Sequence, residues 1–341
     1  MRITRDTLLK IAKDTAAQRI RVTRRVLCIY LTGSCLSEEP LLGGSGDIDL
    51  VMIQDSEPLI PREVIRLSEE VSLDIRHYAQ ESFLQPRHLR VEPWLGPILY
   101  NKPMVLHDPN HWFDYTMAST GSQFLQPDNV LARARSLAES ARQTWMDLGM
   151  GPSTDPLRRV YAYTKAIENA GNAFASLSGV PLTERRFMLN IPQRAAQLQQ
   201  PDLSSGLLHL AGGTADFNAA SWPGWLAQWE VALSAAGGQE NIPSRLLPAR
   251  RSYYTHAAAA LWNDHPLAAL WIMIRTWSQS AAHLPLDSEH RAALVPVLHA
   301  LGLDEAGLEK RLDEMDTYLD RVEETLDRWG KKNGANADQQ A

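Results

Sequence analysis

The sequence predicts an α+β chain, with a small mixed sheet flanked by helices at the N-terminal end and an all-helical bundle after it. Two observations carry this. Apolar runs of strand length occur at Val26–Leu31, Ile48–Ile53 and Val71–Tyr78, each bounded by turn-forming residues. From about Ser119 onward, apolar residues recur at helical spacing almost throughout. At 341 residues the chain has room for two domains. We place the first at 1–118, a helical C-terminal domain at 119–330, and a polar, disordered tail at 331–341.

The elements follow in order. From Thr7 to Ile20, Leu8, Ile11, Ala12, Ala16 and Ile20 form one stripe after an Asp6 or Thr7 cap, which predicts a helix. The first strand ends in Thr32-Gly33-Ser34, and a loop containing Gly43-Gly44-Ser45-Gly46 leads into the second. Pro61–Glu70 reads as a short helix with proline near its start. In the third strand Ser72, Asp74, Arg76 and Tyr78 alternate with Leu73, Ile75 and His77, which puts Asp74 on the polar face. A further strand is expected at Pro103–His107, stopped by Asp108-Pro109-Asn110.

Beyond this point, Asp128–Leu148 is amphipathic, and Asp155–Ser178 opens with an Asp cap and a first-turn proline. Weaker helical patterns start at Thr183 and Phe217 and fill Arg251–Trp262 and Pro266–His283. Leu308, Leu312, Met315, Leu319, Val322, Leu326 and Trp329 make a heptad stripe. We read it as the helix that closes the bundle, with a homodimeric coiled coil as the alternative. Trp222, Trp225 and Trp229 are read as bundle core.

The chemistry concentrates between Val26 and Ile53. Asp47 and Asp49 are i and i+2 on a strand, so their carboxylates lie side by side. Asp is disfavoured in strands, and the rest of this strand is Ile, Leu, Val, Met and Ile. Two carboxylates that close repel each other unless a cation lies between them. Hard oxygen donors without a Cys or His cluster select Mg²⁺ or Mn²⁺ over zinc. The Gly33-Ser34 turn at the end of the preceding strand offers backbone N–H groups to a phosphate. Metal beside phosphate points to phosphoryl or nucleotidyl transfer.

Gly33-Ser34, Asp47-Ile48-Asp49 and the later Asp74 on its own strand resemble the DNA polymerase beta-like nucleotidyltransferase superfamily. The resemblance is specific over Val26–Tyr78 and architectural beyond it. It implies an N-terminal nucleotidyltransferase fold followed by a helical domain, as in kanamycin- and streptomycin-modifying members. It also implies an enzyme that moves a nucleoside monophosphate, most simply AMP from ATP, to a hydroxyl on a small molecule or protein, with release of pyrophosphate. Asp47 and Asp49 would hold the metal on the triphosphate. Asp74 would complete the metal on the nucleophile or act as the general base. Gly33 and Ser34 would contact the outer phosphates. The chain departs from the family in the loop Leu36–Gly46, which is longer and reads Glu38-Glu39-Pro40 where members often carry a basic residue.

On the helix from Asp155, the residues Tyr161, Lys165, Glu168 and Asn172 form a stripe beside the apolar one. Kanamycin-modifying relatives place a Glu and a Lys on a helix of this domain. By that resemblance Glu168 would be a base toward the acceptor and Lys165 a nucleotide ligand. Arg185 and Arg186 read as a surface helix-start pair, and His107 and His111 as surface or packing residues.

Composition limits the partners. The net charge of −6 argues against a general nucleic-acid binder, whose affinity comes from clustered Lys and Arg. No apolar run is long enough to span a bilayer. The two cysteines, Cys28 and Cys35, exclude a disulfide framework and fit a reducing cytoplasm. The alternative function is a nucleotide-binding sensor or antitoxin-like partner-binding protein with this fold and little turnover.

Overall fold

The computed structural model describes residues 3–23, 25–150, 155–213 and 219–335. The chain divides into two compact units, Met1–Gln126 and Pro127–Ala341.

In the first unit, α1 (Arg5–Val22) is capped by Thr4, whose hydroxyl accepts from the Thr7 N–H at 3.3 Å. The cap therefore lies just ahead of the Asp6 or Thr7 expected from sequence. The strands are β1 (Val26–Thr32), β2 (Gly46–Gln54), β3 (Arg62–Arg66), β4 (Val71–Ala79) and β5 (Met104–His107), in the order β3-β4-β2-β1-β5. β2 and β4 run parallel and the other neighbours antiparallel, so the sheet is mixed. Short helices α2 (Pro86–Val91), α3 (Leu95–Tyr100) and α4 (Trp112–Gly121) complete the unit.

The period-two pattern of the strands splits the core into two layers. Ile29, Leu31, Ile48, Leu50, Leu73 and Ile75 meet Leu8, Ala12 and Ala16 of α1. On the opposite face Cys28, Tyr30, Val51 and Ile53 pack on Phe83, Leu89, Leu99 and Phe113, with Tyr30 and Phe113 stacked at 4.6 Å. Asp47 and Asp49 share the face of Val51 and Ile53, because they lie an even number of residues away.

One expectation is overturned here. The segment expected as a helix at Pro61–Glu70 is the edge strand β3, joined to β4 by the turn at residues 67–70. Val64 and Ile65 are β-branched and favour a strand. The Ser68 hydroxyl accepts from the N–H groups of Glu70 and Val71, which fixes the turn.

The second unit is helical: α5 (Pro127–Gly149), α6 (Pro156–Ala175), α7 (Phe187–Gln197), α8 (Pro201–Leu210), α9 (Trp222–Gly237), α10 (Arg251–Leu261), α11 (Pro266–His283), α12 (Glu289–Ala292), α13 (Val295–Ala300) and α14 (Glu305–Asn333). Asp155 caps α6 as expected, accepting from the Leu157 and Arg158 N–H groups. α8, from Pro201, has no counterpart among the expected helices. The helix expected from Thr183 becomes α7 only at Phe187, after a single 3₁₀ turn at Glu184–Arg186. The start expected at Phe217 lies outside the described residues, and α9 begins at Trp222. Trp229 is buried and Trp222 stacks on Trp262 at 4.1 Å, as core.

The heptad residues Leu308, Leu312, Met315, Leu319, Val322 and Leu326 are all buried within the chain. α14 packs on α5, where Arg142 reaches Asp316, Asp320 and Glu323, and the Trp145 indole donates to the Leu312 carbonyl. Lys331, Lys332 and Asn333, expected in the tail, complete α14, and Gly334 caps it. The rest of that tail, from residue 336, lies outside the described residues. No helix among the described residues is long and apolar enough to cross a membrane.

Candidate metal centre

β2 begins at Gly46, so both aspartates sit at its leading end, next to the C-terminal end of the antiparallel β1. The parallel register pairs Asp47 with Ser72 and Asp49 with Asp74 on β4. Thr32, the last residue of β1, pairs with Asp49 from the other side. The three carboxylates therefore converge from two adjacent strands, and one oxygen from each lies within 4.8 Å of the others. Asp47 and Asp74 are buried and Asp49 is half-buried.

The turn after β1 is built around these groups. Gly33 adopts φ +77, and a Cβ placed there would lie 2.0 Å from Asp49 Oδ2. Only glycine lets the backbone approach so closely in that conformation. The Ser34 hydroxyl is buried and makes no hydrogen bond, as is the Ser72 hydroxyl beside Asp47. A buried polar group without a partner costs on the order of 1–3 kcal/mol, so a ligand that reached either hydroxyl would restore a hydrogen bond that folding removed.

Cys35 holds the turn to the strand, its thiol donating to the Asp47 carbonyl at 3.1 Å. Burial, reinforced by Asp49 and Asp47, pushes this thiol up to about 12, so it stays a protonated donor at neutral pH. Arg5 of α1 donates to the Cys35 and Leu36 carbonyls and ties the same turn to the opposite face.

One residue that sequence reasoning missed changes the electrostatics. Arg62, at the start of β3, donates through Nε to Asp74 Oδ1 at 2.8 Å and through Nη2 to Oδ2 at 2.6 Å. This is a fork-on-fork pair, with the Asp74 side chain fully buried and Arg62 about a quarter exposed. Arg62 offsets one of the three negative charges and fixes the plane of the Asp74 carboxylate. Reading 61–70 as a helix hid it. The signal that could have found it is the Val64-Ile65 pair ahead of a short polar turn and a second strand, which is a hairpin pattern.

The donor set fits a hard divalent cation. Every donor is oxygen, the group is net negative, and the 4.8 Å spread is close to the ~4 Å that separates opposite oxygens around Mg²⁺. Each carboxylate carries about four lone-pair positions, so Arg62 leaves Asp74 able to ligate.

On the same face, further along β4, Arg76 and Tyr78 floor a half-open cavity of about 330 Å³, walled by Trp94, Leu95 and Ile98. Glu92 also lines it, but its carboxylate caps α3 by accepting from the Trp94, Leu95 and Gly96 N–H groups.

Glu168 and Lys165 lie on α6 of the second unit. Lys165 is exposed. Glu168 is buried, and its Oε2 accepts from Arg275 Nε at 3.1 Å and Nη2 at 2.9 Å, joining α6 to α11. Asn172, on the same stripe, clamps Leu182 through both of its backbone groups. Arg185 is buried rather than superficial, and donates to the Tyr253 carbonyl while lying over the Tyr253 ring. His111 is exposed and pairs with Asp114.

A scan against protein-family models and a search of the curated proteins each give no match. Among solved structures, the chain is similar to a nucleotidyltransferase-like protein from Exiguobacterium sibiricum 255-15, at 9% identity and a TM-score of 0.29, over 93% of this chain and 91% of that one. At that score the likeness carries no weight.

Proposed function

We propose that the first unit is a divalent-cation-dependent nucleotidyltransferase site, which transfers a nucleoside monophosphate, AMP from ATP in the simplest case, to a hydroxyl acceptor. The observation that carries this is the convergence of Asp47, Asp49 and Asp74 beside a turn whose glycine touches Asp49 and whose serine hydroxyl is buried without a partner.

Asp47 and Asp49 would hold Mg²⁺ or Mn²⁺. Bound there, the cation would neutralise the triphosphate and the departing pyrophosphate. Ser34 donates its hydroxyl to a phosphate oxygen, and the missing side chain at Gly33 leaves the approach open. Asp74 faces the acceptor side. Arg62 fixes its orientation and balances its charge, which suits a ligand better than a free base. Glu168 as a base and Lys165 as a phosphate contact belong to this proposal by resemblance alone. For Glu168 such a role requires its pair with Arg275 to part.

Asp47→Asn and Asp49→Asn should each abolish Mn²⁺ binding, measured by electron paramagnetic resonance of the free ion, and Mg²⁺-dependent pyrophosphate release, with the circular dichroism unchanged. Full pyrophosphate release by the double variant would sink the assignment. A second reading, a nucleotide-binding protein with little turnover, is favoured by one feature, the hold of Arg62 on Asp74. Incubation with each labelled NTP, Mg²⁺ and a cell extract separates the two, because only a transferase leaves label on an acceptor.

A further inference from the structure

We infer that the cavity beyond Asp74 is the acceptor pocket, and that it selects a phenolic hydroxyl on a neutral or anionic body over a polycationic sugar. The inference rests on the nucleotidyl-transfer reading above and deepens it.

The strand order fixes which side of the metal centre is which. Gly33 and Ser34, the phosphate side, follow β1, which flanks β2 on one edge. Asp74 is on β4, which flanks β2 on the other. A nucleotide seated at Gly33-Ser34 and Asp47-Asp49 therefore leaves its α-phosphorus facing β4. Arg76 and Tyr78 continue the Asp74 face along that strand, since alternate residues share a face and rise about 6.6 Å per pair. The cavity they line therefore lies on the Asp74 face of β4, along the strand from that carboxylate.

The lining defines what enters. Tyr78, Trp94, Leu95 and Ile98 give an aromatic and aliphatic wall, and the volume of about 330 Å³ is at the small end for ligand pockets, enough for a substituted ring. Arg76 also lines the cavity, and the one carboxylate there, that of Glu92, is committed to the start of α3. A polycation would find no uncommitted carboxylate in this lining. The chain's net charge of −6 is thus no guide to its acceptor, because net charge says little about one pocket.

The reaction also favours a phenol. The acceptor oxygen attacks the α-phosphorus and forms the new P–O bond. The bond to the bridging oxygen breaks, and its electron pair leaves with pyrophosphate. The hydroxyl proton goes to solvent. No oxidant or reductant is needed. Both oxygens of Asp74 are engaged by Arg62, so an acceptor that ionises easily is served best. A phenol loses its proton near 10, far more readily than a hydroxyl resembling water.

Saturation-transfer NMR on the full-length protein tests this with p-hydroxyphenylacetate, an N-acetylated tyrosine tripeptide amide and kanamycin as probes. Transfer to one or both phenols is expected, the two arms separating a free metabolite from a tyrosine side chain, with none to kanamycin. Trp94→Ala, a change at an exposed side chain, should weaken phenol binding at least fivefold and leave the affinity for Mn²⁺–ATP within twofold. Tyr78→Leu should do the same. Wild-type protein that binds Mn²⁺–ATP but neither phenol overturns the pocket assignment alone, as does kanamycin displacing a phenol or Trp94→Ala binding it unchanged. Wild-type protein that binds a phenol but not Mn²⁺–ATP overturns the nucleotidyl-transfer reading instead.

Discussion

Gly33 combines two demands that only glycine meets. Its φ of +77 lies in the left-handed region, and its missing Cβ leaves room for Asp49 Oδ2. Gly33→Ala would cost about 1 kcal/mol for the backbone alone, a few degrees of Tm in a chain this long. The contact matters more, since a Cβ 2.0 Å from the carboxylate must push Asp49 out of the cluster. We expect Mn²⁺ affinity to fall at least tenfold while Tm drops only those few degrees. Unchanged Mn²⁺ affinity would show that Asp49 is not a ligand. Gly33, Asp47 and Asp49 were legible in the sequence because their relation is local, a turn and an i, i+2 pair. Arg62 was not, because its partner is defined by cross-strand register, and register is invisible until β3 is recognised as a strand.

At the scale of elements, β3 matters more to the site than its five residues suggest. It is the sheet's edge, held to β4 by pairing from Arg62↔Arg76 to Arg66↔Ser72, and it delivers Arg62 to Asp74. Removing the guanidinium takes two charge-assisted hydrogen bonds from a fully buried carboxylate, a loss on the order of 3 kcal/mol. Arg62→Met should therefore lower the urea-unfolding free energy by about that amount, and Arg62→Met with Asp74→Asn should recover most of it. Simple additivity in that double-mutant cycle would mean the pair contributes nothing. α14 shows the opposite case, in which pattern alone was enough. Its heptad residues from Leu308 to Leu326 are spent on the interior of the second unit, so these six cannot also form a dimer seam. Leu319→Ala should cost about 2–5 kcal/mol of stability, as core truncations do, with no change in mass by analytical ultracentrifugation. Loss of a dimer in that variant would instead place the stripe at an interface.

The chain joins a unit whose candidate site sits on a sheet to a unit built from helices, and Glu168 tests whether the second takes part in the proposed chemistry. Its position on a polar stripe suggested a base, and that same stripe is where α6 meets α11. The sequence shows such a stripe but not what faces it, because Arg275 lies more than a hundred residues away. Both Glu168 and Arg275 are at least nine-tenths buried, and Tyr161 packs over the guanidinium at 5.0 Å. Glu168→Gln keeps the shape but removes the counter-charge of a buried cation. As a packing residue it should lose on the order of 3 kcal/mol in urea unfolding, with affinity for Mn²⁺–ATP unchanged. As a general base it would lower transfer to an identified acceptor by about 10²–10⁴-fold. Because Arg275 donates two hydrogen bonds to Oε2, we expect the stability loss to dominate. A hundredfold fall in transfer with unfolding unaltered would show that the pair opens during turnover, and would bring the helical unit into the reaction.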